Sequence, residues 1–267
     1  SAQCLRAMVG AAIGREGRGD GRGAGERIHR IPLGLMLLEQ GRLSELQLRE
    51  ALEGQRRAAE VSGEAICLQD WLRSSGILSE AALTRAVSAQ WNCPVFSLDG
   101  SRSEEMASVL PPFLAEAMGA LPVRVSGSRL LYLAFSERID RSLSYAVEHI
   151  NGMQVAAGMA RESEFRREQA RFRSGNAPKT RFLKAEDERA LARGMAAWME
   201  DEQPIAARLA RVHEVWWLRI WRRAQPGRDL SGHEAVEDLL ATVGGEVEEN
   251  ALPPIRTPEG SGATCQE

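Results

Sequence analysis

The sequence predicts an α+β protein: a bundle of tandem helical hairpins, a small α/β subdomain, a helical C-terminal extension, and disordered tails. Three observations carry that expectation. One 24-residue helix–turn–helix pattern is written twice, as PLGLMLLEQGRLSELQLREALEGQ from Pro32 to Gln55 and CLQDWLRSSGILSEAALTRAVSAQ from Cys67 to Gln90, offset by 35 residues. Extended and helical patterns alternate after Pro94. Gly/Arg-rich and Pro-rich stretches lie at the two ends. The units implied are a tail over 1–27, the repeats over 28–94, the α/β subdomain over 95–173, a linker over 174–180, a helical extension over 181–243 and a tail over 244–267.

Each element has a local cause. In the first tail, residues 1–13 can form a short helix, but REGRGDGRGAGE is too rich in Gly and Arg to hold one. In both repeats a Gly (Gly41, Gly76) ends a short apolar helix, and Ser44 and Ser79 are placed to cap a second one. Glu45 and Glu80 follow, at the positive end of each helix dipole. The second helices carry apolar residues four apart, Leu48 and Leu52 against Leu83 and Val87, so the hairpins should pack face to face.

Pro94 stops the helical pattern and makes 95–98 extended. Pro111-Pro112 opens a helix. Residues 121–125 and 129–135 form a β-hairpin around Gly127. Helix over 140–150, a strand near 153–155 and helix over 161–173 complete the subdomain. Ser174-Gly175-Asn176-Ala177-Pro178 is the clearest linker. Beyond it, 185–200, 204–224 and a short amphipathic piece over 234–243 read as helices.

Composition and motifs exclude more chemistry than they suggest. A net charge of −3 and a pI near 6.0 oppose bulk binding to nucleic acid. Cys4, Cys67, Cys93 and Cys265 show no paired close spacing, which indicates a reduced, cytoplasmic protein without a disulfide framework or zinc site. His29, His149, His213 and His233 are scattered, so no metal site is expected. Lys179-Thr180 lacks the glycines that let backbone N–H groups wrap a phosphate. No nucleophile elbow or isolated carboxylate pair stands out, so no catalytic residue and no enzyme is expected.

Two basic features remain. The run from Arg161 to Lys184 has a local cationic excess of five and reads as a solvated helix face entering the linker. The stretch 204–224 sets Trp216, Trp217 and Trp221 beside Arg219, Arg222 and Arg223. Packing within the chain, docking of a protein partner through Trp216, Trp217, Trp221 and Arg222, and peripheral contact with a membrane are all open to it.

The duplicated repeat, the Pro94 link and the α/β unit together resemble the N-terminal domain of type II secretion and type IV pilus assembly ATPases, the MshEN domain, over about residues 30–173. The resemblance lacks the motor domain. It implies a regulatory or docking protein that engages a component of a secretion, pilus or envelope system. Some members of the family bind cyclic di-GMP through these repeats, which makes a cyclic di-GMP receptor the alternative, with no other cofactor. The residues matching the binding motif are Leu33, Gly34, Leu37, Leu38, Gly41, Leu48, Leu52 and Gln55, with Arg30 as the cation; the second, degenerate copy keeps Leu68, Leu72, Gly76, Leu83 and Gln90. Pro32 and Cys67 stand where the motif has Arg, and Gln69 where it has Gly. A guanidinium fork suits phosphate and stacks on bases, so its loss favours a retained scaffold that docks protein.

Overall fold

The structure, a computed structural model, describes residues 2–23, 31–63, 66–127, 129–222 and 236–244. Its N-terminal part is four helices in two hairpins: α2 (Leu33–Glu39) with α3 (Glu45–Ser62), and α4 (Leu68–Ser74) with α5 (Glu80–Trp91). The expected caps are present. Ser44 Oγ accepts from the Gln47 N–H while the Gln47 side chain accepts from the Ser44 N–H, a closed capping box, and Ser79 Oγ accepts from Ala82. Gly41 and Gly76 take φ of +63° and +68°, the left-handed turn that lets each chain reverse. The hairpins exchange partners: α2 packs on α5 and α3 on α4.

The first sheet contains β1 (Val95–Phe96), β2 (Ala120–Ser126), β3 (Leu130–Phe135) and β4 (Gln154–Ala160) in the order β1-β4-β3-β2. β2 and β3 are the predicted hairpin, turned at Gly127. β3 and β4 are parallel, so a crossover must join them, and α7 (Arg141–Asn151) supplies it. α6 (Pro112–Ala117) and α8 (Glu162–Ser174) complete the unit. Glu80, opening α5, accepts from the N–H and hydroxyl of Ser163 in the first turn of α8, which ties the second repeat to this subdomain. The basic run is consumed within the chain: Arg161 pairs with Glu164, Arg166 with Glu162, Arg167 and Arg171 with buried Glu168, and Arg173 with Glu116.

Beyond residue 174 the expected helical extension is corrected. The chain forms a second sheet, β5 (Lys179–Ala185), β6 (Ala206–Val212), β7 (Val215–Trp221) and β8 (Val236–Val243), in the order β5-β8-β7-β6, and among the described residues there only α9 (Glu188–Glu202) is helical. Within the stretch expected to be helical over 204–224, β7 obeys a period of two; 223–224 lie outside the described residues. Trp216, Leu218 and Ile220 point to one core, while Val215 and Trp217 point to the other. Its β-branched and aromatic residues fit a sheet buried on both faces, a preference that helical spacing of three tryptophans obscured. Residues 236–243 are likewise a strand rather than an amphipathic helix; 234–235 lie outside the described residues. The linker is no loose tether either, since Gly175 sits so close to Glu104 that an added Cβ would come 2.3 Å from its carbonyl oxygen.

The N-terminal tail is a second correction. Residues Ala2–Gly23 form α1, although glycines crowd its second half. Leu5, Val9 and Ile13, four apart, make one apolar stripe that packs on α9 and β6, and burial there overrides poor propensity. Residues 24–27, Arg30, and the tail from 245 onward fall outside the described residues.

The second sheet lies between α1 and α9 on one face and α7 on the other. Its deepest polar group is an ion pair. Arg219 on β7 donates Nε and Nη2 to the two carboxylate oxygens of Asp238 on β8, both at 2.8 Å, and Trp217 Nε1 donates to Asp238 at 2.7 Å. Arg219 Nη1 reaches the Asn151 side chain at 2.9 Å and the Val109 carbonyl at 3.3 Å, so the pair also ties the second sheet to the end of α7 and to the segment before α6. Asp238 is 0% exposed and Arg219 2%. Full pairing of this kind is what makes a buried charge tolerable.

Candidate functional site

The repeat pair is the candidate site, and its closure is reciprocal. Gln55, the last residue of the first copy, donates Nε2 to the carbonyl of Ile66, just ahead of the second copy. Gln90, the last of the second, donates Nε2 to the carbonyl of Ile31, just ahead of the first. The two bonds occupy equivalent places, 35 residues apart at both ends. Each copy thus fastens the entry of the other, and a repeat that cannot bury its own face finds its complement in its neighbour.

This geometry sorts the residues that sequence grouped as ligand contacts. Leu37 and Leu72 are fully buried, and Leu48 and Leu83 nearly so; they are the core of the bundle. Leu33, Leu38, Leu52 and Leu68 are half-buried against it. Gly34 is small because Leu48 is close: a Cβ built there would lie 2.9 Å from a Leu48 methyl. Packing of α2 on α3 therefore accounts for Gly34 without a ligand. Gly41 and Gly76 serve turns. Of the residues expected to meet a ligand, most hold the scaffold, and Arg30 lies outside the described residues.

The feature that sequence reasoning missed is a difference between the copies. Leu35 is 53% exposed and Leu46 65% exposed, both on the first copy. Their counterparts 35 residues on are Asp70 and Ala81. Asp70 accepts from Cys67 Sγ at 2.9 Å and from Arg73 at 2.9 Å, an ordinary polar surface. The second copy therefore folds with a carboxylate at one of these positions and only a methyl at the other, so the scaffold does not need the large leucine side chains of the first copy. Ile31 and Val61 are further exposed apolar side chains of the same copy and its flanks. Aligning the two copies residue by residue was the signal that could have found them.

The Trp/Arg docking helix is corrected as well. Trp216 and Trp217 are buried on opposite faces of the second sheet, and Trp221 is half-buried at its end with the Arg208 guanidinium 5.8 Å from its ring. Arg222 pairs with Glu202 and Glu237. Large rings and their cations are used for internal packing here, the first of the three roles considered.

Elsewhere the end of α5 and one side of α7 border a recess of about 330 Å³, lined by Trp91, Cys93, Ile139, Arg141, Tyr145 and Glu148 among others. Glu148 is engaged there, accepting from the Val155 N–H at 2.8 Å. Burial pushes the Cys93 thiol up, against weaker opposing hydrogen bonds, so it is held as a thiol rather than an activated thiolate. Among the described residues no group of three His, Cys, Asp or Glu could hold a metal ion, and no helix is long and apolar enough to cross a membrane.

Comparison with known proteins agrees with the resemblance drawn from the repeats. The chain matches the solved structure of MshE with cdg (cyclic di-GMP) at 28% identity, over 54% of this chain and 99% of that one, with a TM-score of 0.43. It also matches the N-terminal domain of XpsE in two crystal forms. One is at 17% identity over 53% of this chain and 93% of that one, TM-score 0.40; the other is at 20% identity over 51% and 90%, TM-score 0.32. No protein-family profile matches the chain, and no curated protein matches it.

Proposed function

We propose that the chain is a non-catalytic docking or regulatory protein, whose first repeat presents an apolar face to a protein partner in a secretion, pilus or envelope assembly. The single observation that carries this reading is the exposure of Leu35 and Leu46 at positions where the second repeat has Asp70 and Ala81. Large exposed apolar side chains that the fold does not need can serve as anchors of an interaction surface. The assembly class comes from the resemblance to secretion and pilus ATPase N-terminal domains. The alternative, a cyclic di-GMP receptor, draws on the same resemblance but loses support where Gly34, Gln55 and Gln90 already have structural work.

The test is binding of the purified chain to purified cytoplasmic domains of such assemblies, measured by biolayer interferometry. One of them should bind, and Leu35→Asp should weaken it by about tenfold or more, since a desolvated carboxylate opposes an apolar contact. Stability should change by no more than about 0.5 kcal/mol, as for other surface substitutions. Failure of every candidate to bind, or equal binding by the variant, would remove the first repeat as the docking face.

A further inference from the structure

The turn joining β6 to β7 has two residues, His213 and Glu214, because Val212 pairs with Val215. His213 holds φ +52°, and Glu214 does not share a positive φ. A two-residue hairpin with positive φ at its first central residue alone ordinarily places Gly there. A side chain in that conformation is strained, and it persists where its surroundings fix it. Asp140 is one of the groups that hold His213: Nε2 lies 2.6 Å from Asp140 Oδ2. Asp140 is also the N-cap of α7, accepting the Leu143 N–H on Oδ1 at 2.8 Å.

We propose that His213 and Asp140 form a proton-operated latch holding the second sheet on the N-terminus of α7, gripping when the imidazole is charged and slackening when it is neutral. At the other end of α7, Arg208 donates to the carbonyls of His149 and Ile150, both at 3.0 Å, a cation at the negative end of the helix. Around the latch, Arg138 precedes Asp140 and acts on its charge, and Arg141 opens α7. From the hairpin, Arg211 Nε donates to the His213 carbonyl at 2.8 Å, and its Nη2 is 3.8 Å from Glu214. Ser142 donates to the Arg211 carbonyl at 3.4 Å. Arginines stay charged and carboxylates stay ionised between pH 5 and 8, so among these groups the imidazole is the one that switches.

The sign follows from the carboxylate. Burial pushes the Asp140 carboxyl up, but the hydrogen bond and charge of His213, the Leu143 N–H and Arg138 together outweigh it, and Asp140 sits below its ordinary range. Its contribution is therefore present above the usual carboxylate range and lost only as pH falls through the depressed value. Between pH 8 and 5 Asp140 stays negative while His213 gains charge, and the latch tightens. α7 also supplies Arg141, Ser144, Tyr145 and Glu148 to the recess beside α5, so the latch sets the footing of that wall.

Amide hydrogen exchange of Leu143 and Ser144 in the full chain, corrected for intrinsic rates, tests this at pH 5.5 and 7.5. Protection should fall about tenfold on raising the pH, because Asp140 stays ionised and the neutral imidazole can keep its hydrogen bond but loses the attraction between opposite charges, on the order of one pKa unit of differential interaction. His213→Gln, which can keep an uncharged donor on the Asp140 carboxylate, should give pH-independent protection. His213→Gly relieves the turn and should give low, pH-independent protection. A flat profile in the parent chain, or the parent's pH dependence surviving in either variant, overturns the latch.

Discussion

Asp238→Ala is expected to destabilise the protein by about 3–5 kcal/mol, the usual cost of stripping one partner from a buried ion pair. Arg219 would keep its charge at a site 2% exposed, with the Asn151 side chain and the Val109 carbonyl still accepting from it, while the Trp217 N–H would lose its acceptor. The attraction within the pair is not what makes the substitution costly; the stranded guanidinium is. Replacing both partners by apolar residues, Arg219→Met with Asp238→Leu, should therefore recover most of the loss. Urea denaturation of the parent, both single variants and the double variant measures this directly, and the cycle gives the coupling. A loss of under about 0.5 kcal/mol for Asp238→Ala would mean that the carboxylate is not the buried partner of Arg219.

Leu37→Ala and Leu72→Ala carry the next largest effect, about 2–5 kcal/mol each, as for other fully buried leucines. They occupy equivalent positions of the two repeats, and neither copy closes alone. α2 packs on α5, α3 on α4, and each terminal Gln bonds the entry of the other copy. Either truncation should therefore lower hydrogen-exchange protection in all four helices, as one cooperative unit. Loss confined to the substituted hairpin would show instead two independent hairpins lying side by side.

What the sequence made legible was what has a local cause. Ser44 and Ser79 capped helices, Gly41 and Gly76 turned them, Pro94 ended one, and Gly127 turned a hairpin, each as residue chemistry demands. The second sheet was hidden because its strands are buried on both faces. VWWLRIW shows no polar alternation, and periodicity alone does not separate such a short apolar run from a buried helix. α1 was hidden for the opposite reason, since tertiary burial of Leu5, Val9 and Ile13 rescues a sequence whose glycines argue against it. In the candidate site, sequence located the repeat and its conserved-looking spacing but assigned Gly34, Gln55 and Gln90 to a ligand. Their partners, Leu48, Ile66 and Ile31, became visible only once the two copies were seen to close on each other.

The central claim is that the first repeat recognises protein, with its motif residues spent on the scaffold. Calorimetric titration of the purified chain with cyclic di-GMP up to about 100 μM tests that claim most directly, beside an Arg30→Ala variant. The account predicts no saturable heat for either protein. Saturable binding by the parent chain, weakened in Arg30→Ala, would contradict it and make the repeat a nucleotide receptor.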